Sequence, residues 1–574
     1  MGQKIVIVGG VAAGPKTACR AKRLMPDAEI TLVDQDSLIS YGGCGIPYYV
    51  SGDVADEDEL RKTSFHMTRN EDFFLRAKGI HVRTLTRCLA IDRQAKCIEV
   101  EDLKSGTRES LPYDKLVIAT GSQPFVLPIP GADLEGVYTI SDLHKAITIK
   151  QQLATGKIGR AVVIGGGAIG LEMAEAFTDL WGVETSVVEF MPQLLPRIID
   201  PWFATMLQKH MEAMGVSIYT GEGASEIIAD DNGRACKVVT PHRTLETDIV
   251  IMATGVRPRS QLAEEAGLLV SPFGIVVNPR LQTSDPNIYA AGDCIEVTHM
   301  VSGQKFTAPL GSLANREGRI VADNLAGIPS FYPGAMGSFI MKAFERSIGA
   351  TGLSLESARA AGFDADAAIT APSDRAHFFP DEAKIPLQMV FDRRSRRVLG
   401  VQGFGPMNDA VLTRIDAAAA LIAKNSTIDD FSLCEMAYAP PFATALDALN
   451  GAANVADNMQ MNRQRNVAIP DFLAWMDDFS GRPDWLALDI RHPAETKAFK
   501  EKFGAAWLEL AYDQVRANHQ DLPRDKTLII ICDAGTRSYE TQVFLDSVGL
   551  TNTLVLGGGF NVITRMEPSW WPAK

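Results

Sequence analysis

The 574-residue sequence has only eight cysteines, with no C-x-x-C pair and no metal-ligand spacing among them. Cys19, Cys44, Cys88, Cys97, Cys236, Cys294, Cys434 and Cys532 lie scattered along the chain. In a protein of this length that pattern excludes a disulfide framework and points to individual thiols in a reducing compartment. No apolar run is long enough to span a bilayer, and the N-terminus enters Lys4-Ile5-Val6-Ile7-Val8 without the features of a secretory signal. The expected location is the cytoplasm. An excess of positive charge is missing too. The formal net charge of −14 argues against nucleic acid or an anionic membrane as the main partner. Apolar residues are plentiful at 46%, and the length calls for roughly three to five domains, each with an ordinary core.

The chain opens on strand, glycine-rich turn and helix. Ile5–Val8 runs into Gly9-Gly10-Val11-Ala12-Ala13-Gly14, and a second strand, Ile30–Val33, ends at Asp34. Such a turn aims backbone N–H groups and a helix N-terminus at a pyrophosphate, while the acid takes a ribose hydroxyl. Val11 stands where G-x-G-x-x-G has its middle glycine. The unit recurs as Ala161–Ile164, Gly165-Gly166-Gly167-Ala168-Ile169-Gly170, a helix, then Ser186–Val188 and Glu189. Phe190 and Met191 follow Glu189, with no Arg or Lys at hand for a 2′-phosphate, so NADH is expected over NADPH. Val117-Ile-Ala-Thr120-Gly121 and Ile251-Met-Ala-Thr-Gly255 each end a strand in Thr-Gly, and Asn287–Gly292-Asp293 sets an acid where it can bind a ribityl chain. These five segments, in their order along the chain, resemble the pyridine nucleotide–disulfide oxidoreductases, whose FAD domain is interrupted by an NAD domain.

Within Ser40-Tyr41-Gly42-Gly43-Cys44-Gly45-Ile46-Pro47-Tyr48-Tyr49 there is one cysteine, and Tyr49 stands where a C-x4-C pair would have its second. A lone redox cysteine cycles through a mixed disulfide, a persulfide or a sulfenic acid. Flanking glycines permit close approach, and a following helix N-terminus would lower the thiol pKa. The bland alternative is a buried structural thiol. The segment resembles the redox motif of the coenzyme A disulfide reductase branch. That resemblance implies Cys44 as nucleophile, Ser40 at the family's first serine, and coenzyme A contacts at Lys16, Arg20 and Arg23 on one helical face, with Arg76 or Lys78 and Asn315 as further contacts. Three cations on one face also fit a plainly solvated helix. Tyr438-Ala-Pro-Pro-Phe442 is similar to the segment of the family's dimerisation domain whose tyrosine reaches across a homodimer towards the redox cysteine. Departures are Gly43 for Asn, His377-Phe378-Phe379-Pro380 for H-x-x-Y-Y-P, Leu446 for a lysine, and Ala168 for the aromatic gate of the nicotinamide face.

Further on, Thr527-Leu-Ile-Ile-Ile531 reads as a central strand entering Cys532-Asp533-Ala534-Gly535-Thr536-Arg537-Ser538 and a helix. Such a loop curls N–H groups around a thiolate or persulfide, with the arginine adding charge. With Asp489-Ile490-Arg491 and Gly557-Gly558-Gly559 it resembles the rhodanese family, whose loop is C-x4-R; four intervening residues suit sulfane sulfur better than the larger phosphate.

The expected fold is α/β: two Rossmann-like nucleotide domains, an α+β dimerisation domain and a C-terminal rhodanese-like domain. The boundaries read are 1–150 and 271–326 for FAD, 151–270 for NAD, 327–450 for dimerisation, 451–466 as linker and 467–574 for the rhodanese part. The resemblance implies an NAD(P)H-dependent, FAD-containing enzyme that reduces persulfide, polysulfide or coenzyme A persulfide to sulfide and thiol. It implies Cys44 and Tyr438 in the reductase, and Cys532 with Arg537 in sulfur transfer. Three alternatives remain: coenzyme A disulfide reduction, NADH oxidase or peroxidase chemistry through a Cys44 sulfenic acid, and sulfur delivery to a partner protein.

Overall fold

The computed structural model describes residues 2–568. The chain divides into two compact units, Met1–Pro192 with Gly215–Ala335, and Gln193–Met214 with Met336–Lys574.

The first unit holds two parallel five-stranded sheets. In one, the order is Ile288–Ala290, Lys115–Ile118, Lys4–Val8, Glu29–Val33 and His81–Arg83. Ile5, Ile7, Leu32, Val117 and Ile288 are all fully buried, as expected of strands covered on both faces. The edge strand Ile288–Ala290 pairs with Lys115–Ile118 from far earlier in the chain, so this sheet is completed only after the second one has been made. The second sheet runs Ser217–Thr220, Glu184–Glu189, Arg160–Ile164, Ile249–Met252 and Val137–Tyr138. In each sheet the glycine-turn strand is central and its chain neighbours lie on opposite sides. Crevices form at the carboxyl ends of strands at such a reversal.

The second unit carries an antiparallel sheet, Phe339–Ala343, Arg346–Gly352, Val398–Pro406, Leu387–Asp392 and Ala365–Thr370. A parallel sheet follows, Asn466–Val467, Thr553–Leu556, Thr527–Ile531, Trp485–Asp489 and Trp507–Glu509, and its apolar Thr527–Ile531 strand is central. The segment 451–466, read as a linker, is different. It is helical to Gln460 within Ala448–Gln460, which buries Ala448, Leu449, Ala452, Ala453 and Ala456. Asp447 caps this helix by accepting the Leu449 N–H at 3.0 Å. The polar residues that suggested a linker are held by partners: Asp457 pairs with Arg396 at 2.8 Å, and past the helix Gln464 is buried and Arg465 pairs with Asp546 at 2.7 Å. No helix among the described residues is long and apolar enough to cross a membrane.

Candidate functional site

At the first turn Gly9 has φ +115°, and a Cβ there would collide with the Ala119 carbonyl; one on Gly14 would collide with the Gly9 carbonyl. Only glycine permits this packing of strand, turn and helix. Asp34 closes over the turn, accepting the Gly10 N–H at 2.5 Å, and burial raises its carboxyl pKa. Val11 points out to solvent. The Ala13–Leu24 helix has no side-chain N-cap, which leaves its leading N–H groups open to an anion. Across the crevice Asp293 accepts the Ser122 hydroxyl at 3.0 Å, and burial raises its pKa as well. Gly292 donates its N–H to buried Glu317 at 2.6 Å. The Thr120 hydroxyl donates to the Arg259 carbonyl at 2.8 Å, and Gly121 turns the chain with φ +69°. Two acids flanking an uncapped helix end fit the ribose, ribityl and pyrophosphate groups of FAD.

The second turn repeats the device. A Cβ on Gly165 would strike the Ala253 carbonyl and one on Gly170 the Gly165 carbonyl, whereas beside Gly167 the space is open. The Ala168–Thr178 helix again lacks a side-chain cap. Buried Glu189 accepts the N–H groups of Gly166 at 2.6 Å and Met191 at 2.7 Å. Gly255 has φ +99° at the facing strand end.

Cys44 lies in the turn Gly43–Gly45 that leads into the helix Ile46–Ser51. Of the eight cysteines, all within the described residues, it is the exposed one. Burial pushes Cys88 up to about 12 and Cys294 to about 11, so those thiols stay protonated. A Cβ built on Gly311 would lie 3.6 Å from the Cys44 sulfur. Gly311 opens the 15-residue helix Gly311–Leu325, which has no side-chain cap. The uncapped start of that helix therefore lies beside the Cys44 sulfur. Ser40 is buried with φ +52°, a strained conformation for a residue with a side chain, and donates its N–H to the Gly10 carbonyl at 2.8 Å. That bond ties the cysteine loop to the first glycine turn. Tyr49, in the place of a second cysteine, is buried and donates to Glu57 at 3.2 Å. Burial, and then the neighbouring Glu175, push Glu172 up to about 7. Burial first, then Glu172 and Glu175, push the Tyr48 phenol up to about 12, and Cys44 acts in the same direction.

The basic face of the Ala13–Leu24 helix departs from expectation in one respect. Arg20 is paired with Asp323 at 2.9 Å and ties this helix to Gly311–Leu325. Close packing at Gly318, whose carbonyl accepts the Thr17 hydroxyl at 3.1 Å, brings the two together. Lys16, Arg23 and Lys78 converge around Cys19, opposing the upward shift that burial gives its thiol. Arg76 instead bridges Asp72 at 3.7 Å, so Lys78 is the cation that joins the cluster. Asn315 donates to the Gly311 carbonyl at 2.8 Å and is exposed.

In the second unit, Cys532 follows the central Thr527–Ile531 strand, is 1% exposed, and accepts the Gly535 N–H at 3.1 Å. Arg537 is ion-paired with Asp533 of the same loop. Asp489 and Arg491 form a wholly buried pair at 2.8 Å, with the guanidinium 3.7 Å from the Phe560 ring centre. Tyr438 is exposed, as are Phe378, Leu433, Phe442 and Leu446.

The family model for pyridine nucleotide-disulphide oxidoreductases matches residues 3–315, and that for their dimerisation domain matches residues 340–449. The NADH oxidase of Methanocaldococcus jannaschii is 34% identical over 454 residues, 79% of this chain and 98% of that protein. The NAD(P)H coenzyme A polysulfide/persulfide reductase of Pyrococcus horikoshii is 33% identical over 456 residues, 79% of this chain and 98% of that protein. Among solved structures, an NAD-dependent persulfide reductase from A. fulgidus superposes with a TM-score of 0.91 at 34% identity, covering 98% of this chain and 100% of that one. The chain belongs to the pyridine nucleotide-disulphide oxidoreductase family. It is an NAD(P)H-dependent flavoprotein oxidoreductase, with FAD and NAD(P)H as cofactors. Four further residues lie at these sites, Gly311, Glu317, Glu172 and Asp533. Only Asp533 carried a local signal, its i, i+4 spacing to Arg537; the others are brought into place by tertiary packing.

Proposed function

We propose that this oxidoreductase uses NADH to reduce persulfides and polysulfides, coenzyme A persulfide included, to sulfide and thiol through Cys44, with sulfane sulfur handled at Cys532 of a rhodanese-type domain. The observation that carries the reading is a single exposed thiol at a helix N-terminus, with Tyr49 instead of a second cysteine beside it. The names of the Pyrococcus and A. fulgidus relatives support it. The Cys44 thiolate attacks the inner sulfur of R–S–SH, forming Cys44–S–S–R as HS⁻ leaves. Two electrons that originate in NADH, with one proton, then cleave the mixed disulfide to RSH and the Cys44 thiolate. Bound FAD supplies the two-electron path between nicotinamide and sulfur. The Gly311 end of its helix holds negative charge on Cys44 in the free thiolate. Lys16, Arg23 and Lys78 are the residues we assign to the phosphates of coenzyme A, with Asn315 and Ser40 nearer the sulfur; Arg20 acts by holding the helix in place.

The test is Cys44→Ser. The variant retains FAD and loses NADH-driven sulfide release from persulfides; near-wild-type turnover would refute the assignment. A second reading is favoured by the M. jannaschii relative and by the small Ala168 at the expected gate: NADH oxidation by O2 through a Cys44 sulfenic acid. NADH consumption measured in parallel with O2, peroxide, coenzyme A disulfide and polysulfide separates the two, and separates both from coenzyme A disulfide reduction.

A further inference from the structure

The C-terminal loop places an acid immediately after its cysteine. Asp533 and Arg537 form an ion pair within the loop, each side chain about one-third exposed, at 35% and 38%. The arginine is therefore neutralised by its own loop. A second arginine of the same domain is also paired. Arg491 is wholly buried and spent on Asp489. Arg516 lies over the Phe544 ring at 4.5 Å, and Glu540 accepts the Tyr512 hydroxyl.

We propose that Asp533 sets the donor specificity of Cys532, selecting persulfides that carry little charge beside the transferred sulfur and rejecting the thiosulfate dianion. The proposal rests on the reading of Cys532 as a sulfane-sulfur carrier. With a persulfide donor R–S–SH, the Cys532 thiolate attacks the terminal sulfur, the donor S–S bond breaks, and RS⁻ leaves and takes the proton, giving Cys532–S–S⁻ and RSH. The encounter complex holds one net charge. With thiosulfate the same attack expels sulfite, and thiolate and donor together bring three negative charges to a loop whose arginine is already matched. The Gly535 N–H remains for the sulfur, which suits an anion of unit charge.

The experiment follows Cys532 persulfide formation in the full-length, FAD-loaded protein by peptide mass spectrometry, with cysteine persulfide or thiosulfate as donor. Wild type is expected to load from cysteine persulfide at least tenfold faster. Asp533→Asn keeps the side-chain shape but frees the arginine charge. It should raise the thiosulfate rate about tenfold, the effect of roughly one unit charge on a dianion some 6 Å away in a water-like dielectric. The cysteine persulfide rate should change less than about threefold, because that donor has no dianion to repel. Arg537→Gln added to Asp533→Asn should erase the gain. Equal loading of wild type by both donors, or a thiosulfate rate unmoved by Asp533→Asn, overturns the proposal and leaves Cys532 a sulfur carrier. Failure of Cys532 in wild type to load from either donor overturns the carrier reading and this proposal with it.

Discussion

Glu189 illustrates how much one side chain can decide. Its carboxylate is fixed by two backbone N–H groups at the end of the Glu184–Glu189 strand, where a ribose would present its hydroxyls. A 2′-phosphate there would meet a buried negative charge, and the adjoining Phe190 and Met191 offer no compensation. NADH should exceed NADPH in kcat/KM by at least about tenfold, or ~1.4 kcal/mol, and equal efficiencies would remove Glu189 as the determinant. Glu172 makes a different prediction. Its pKa is raised from 4.5 to about 7, first by burial and then by Glu175. A carboxyl whose folded pKa is raised contributes fully to stability below its unfolded value, and that contribution is lost as pH rises through the folded value. Between pH 5 and 8 this group should therefore cost the FAD-loaded protein on the order of 1–2 kcal/mol after allowance for partial exposure. Thermal unfolding of wild type and Glu172→Gln at both pH values checks it: the variant should gain on wild type at pH 8 and not at pH 5. A parallel pH dependence in both proteins would mean that this carboxyl is solvated.

At the scale of elements, the glycine turns were legible because their chemistry is local. Gly9, Gly14, Gly165 and Gly170 are required by carbonyls within their own strand–turn–helix units or the adjoining strand, and the sequence spacing announces that geometry. The turn Gly557-Gly558-Gly559 is of the same kind but serves another segment. Gly559 has φ +58°, and a Cβ on it would collide with the carbonyl of Cys532 and meet Asp533 at 2.7 Å. Gly559→Ala should destabilise the C-terminal domain by about 1–3 kcal/mol and shift the Cys532 loop. Limited proteolysis should show the domain opening more readily, with slower Cys532 persulfidation and unaltered reduction of the flavin by NADH. An intact domain with normal persulfidation would show that the loop tolerates the added carbon. What the sequence did not disclose depends on partners far away in the chain. Arg20 looks free on its helical face until Asp323 arrives from the other helix, and Gly311 cannot be associated with Cys44 before the fold is made. The Ala448–Gln460 helix is hard to read because its buried face is mostly alanine, a weak apolar signal among interspersed Asn and Asp, and Asn450 is itself buried.

For the whole molecule the question is whether one chain suffices. The dimerisation-domain match covers residues 340–449, and that stretch exposes Phe378, Leu433, Tyr438, Phe442 and Leu446. Apolar side chains of this size, clustered in sequence within 433–446 and left in solvent, mark an interaction surface. A second copy of the chain is the partner we assign, with Tyr438 of each subunit serving the Cys44 of the other. Phe442→Glu would put a charge into that interface, so sedimentation should show dissociation to monomer, together with loss of persulfide reduction. Loss of activity alone could come from misfolding, and complementation supplies the stricter test. A heterodimer is made from one Cys44→Ser subunit and one Tyr438→Phe subunit, purified through two different tags. If Tyr438 acts across the interface, the surviving Cys44 receives an intact tyrosine from the other subunit. The heterodimer should then show about half the wild-type rate, because one of its two sites is whole. If Tyr438 acts within its own subunit, that same Cys44 is served by the substituted side chain of its own chain. The lost hydroxyl is then not restored, and the rate should fall to half that of the Tyr438→Phe homodimer. The two outcomes differ only if Tyr438→Phe itself slows the homodimer, so that homodimer is measured first; an unslowed Tyr438→Phe enzyme would remove the tyrosine from the reaction altogether.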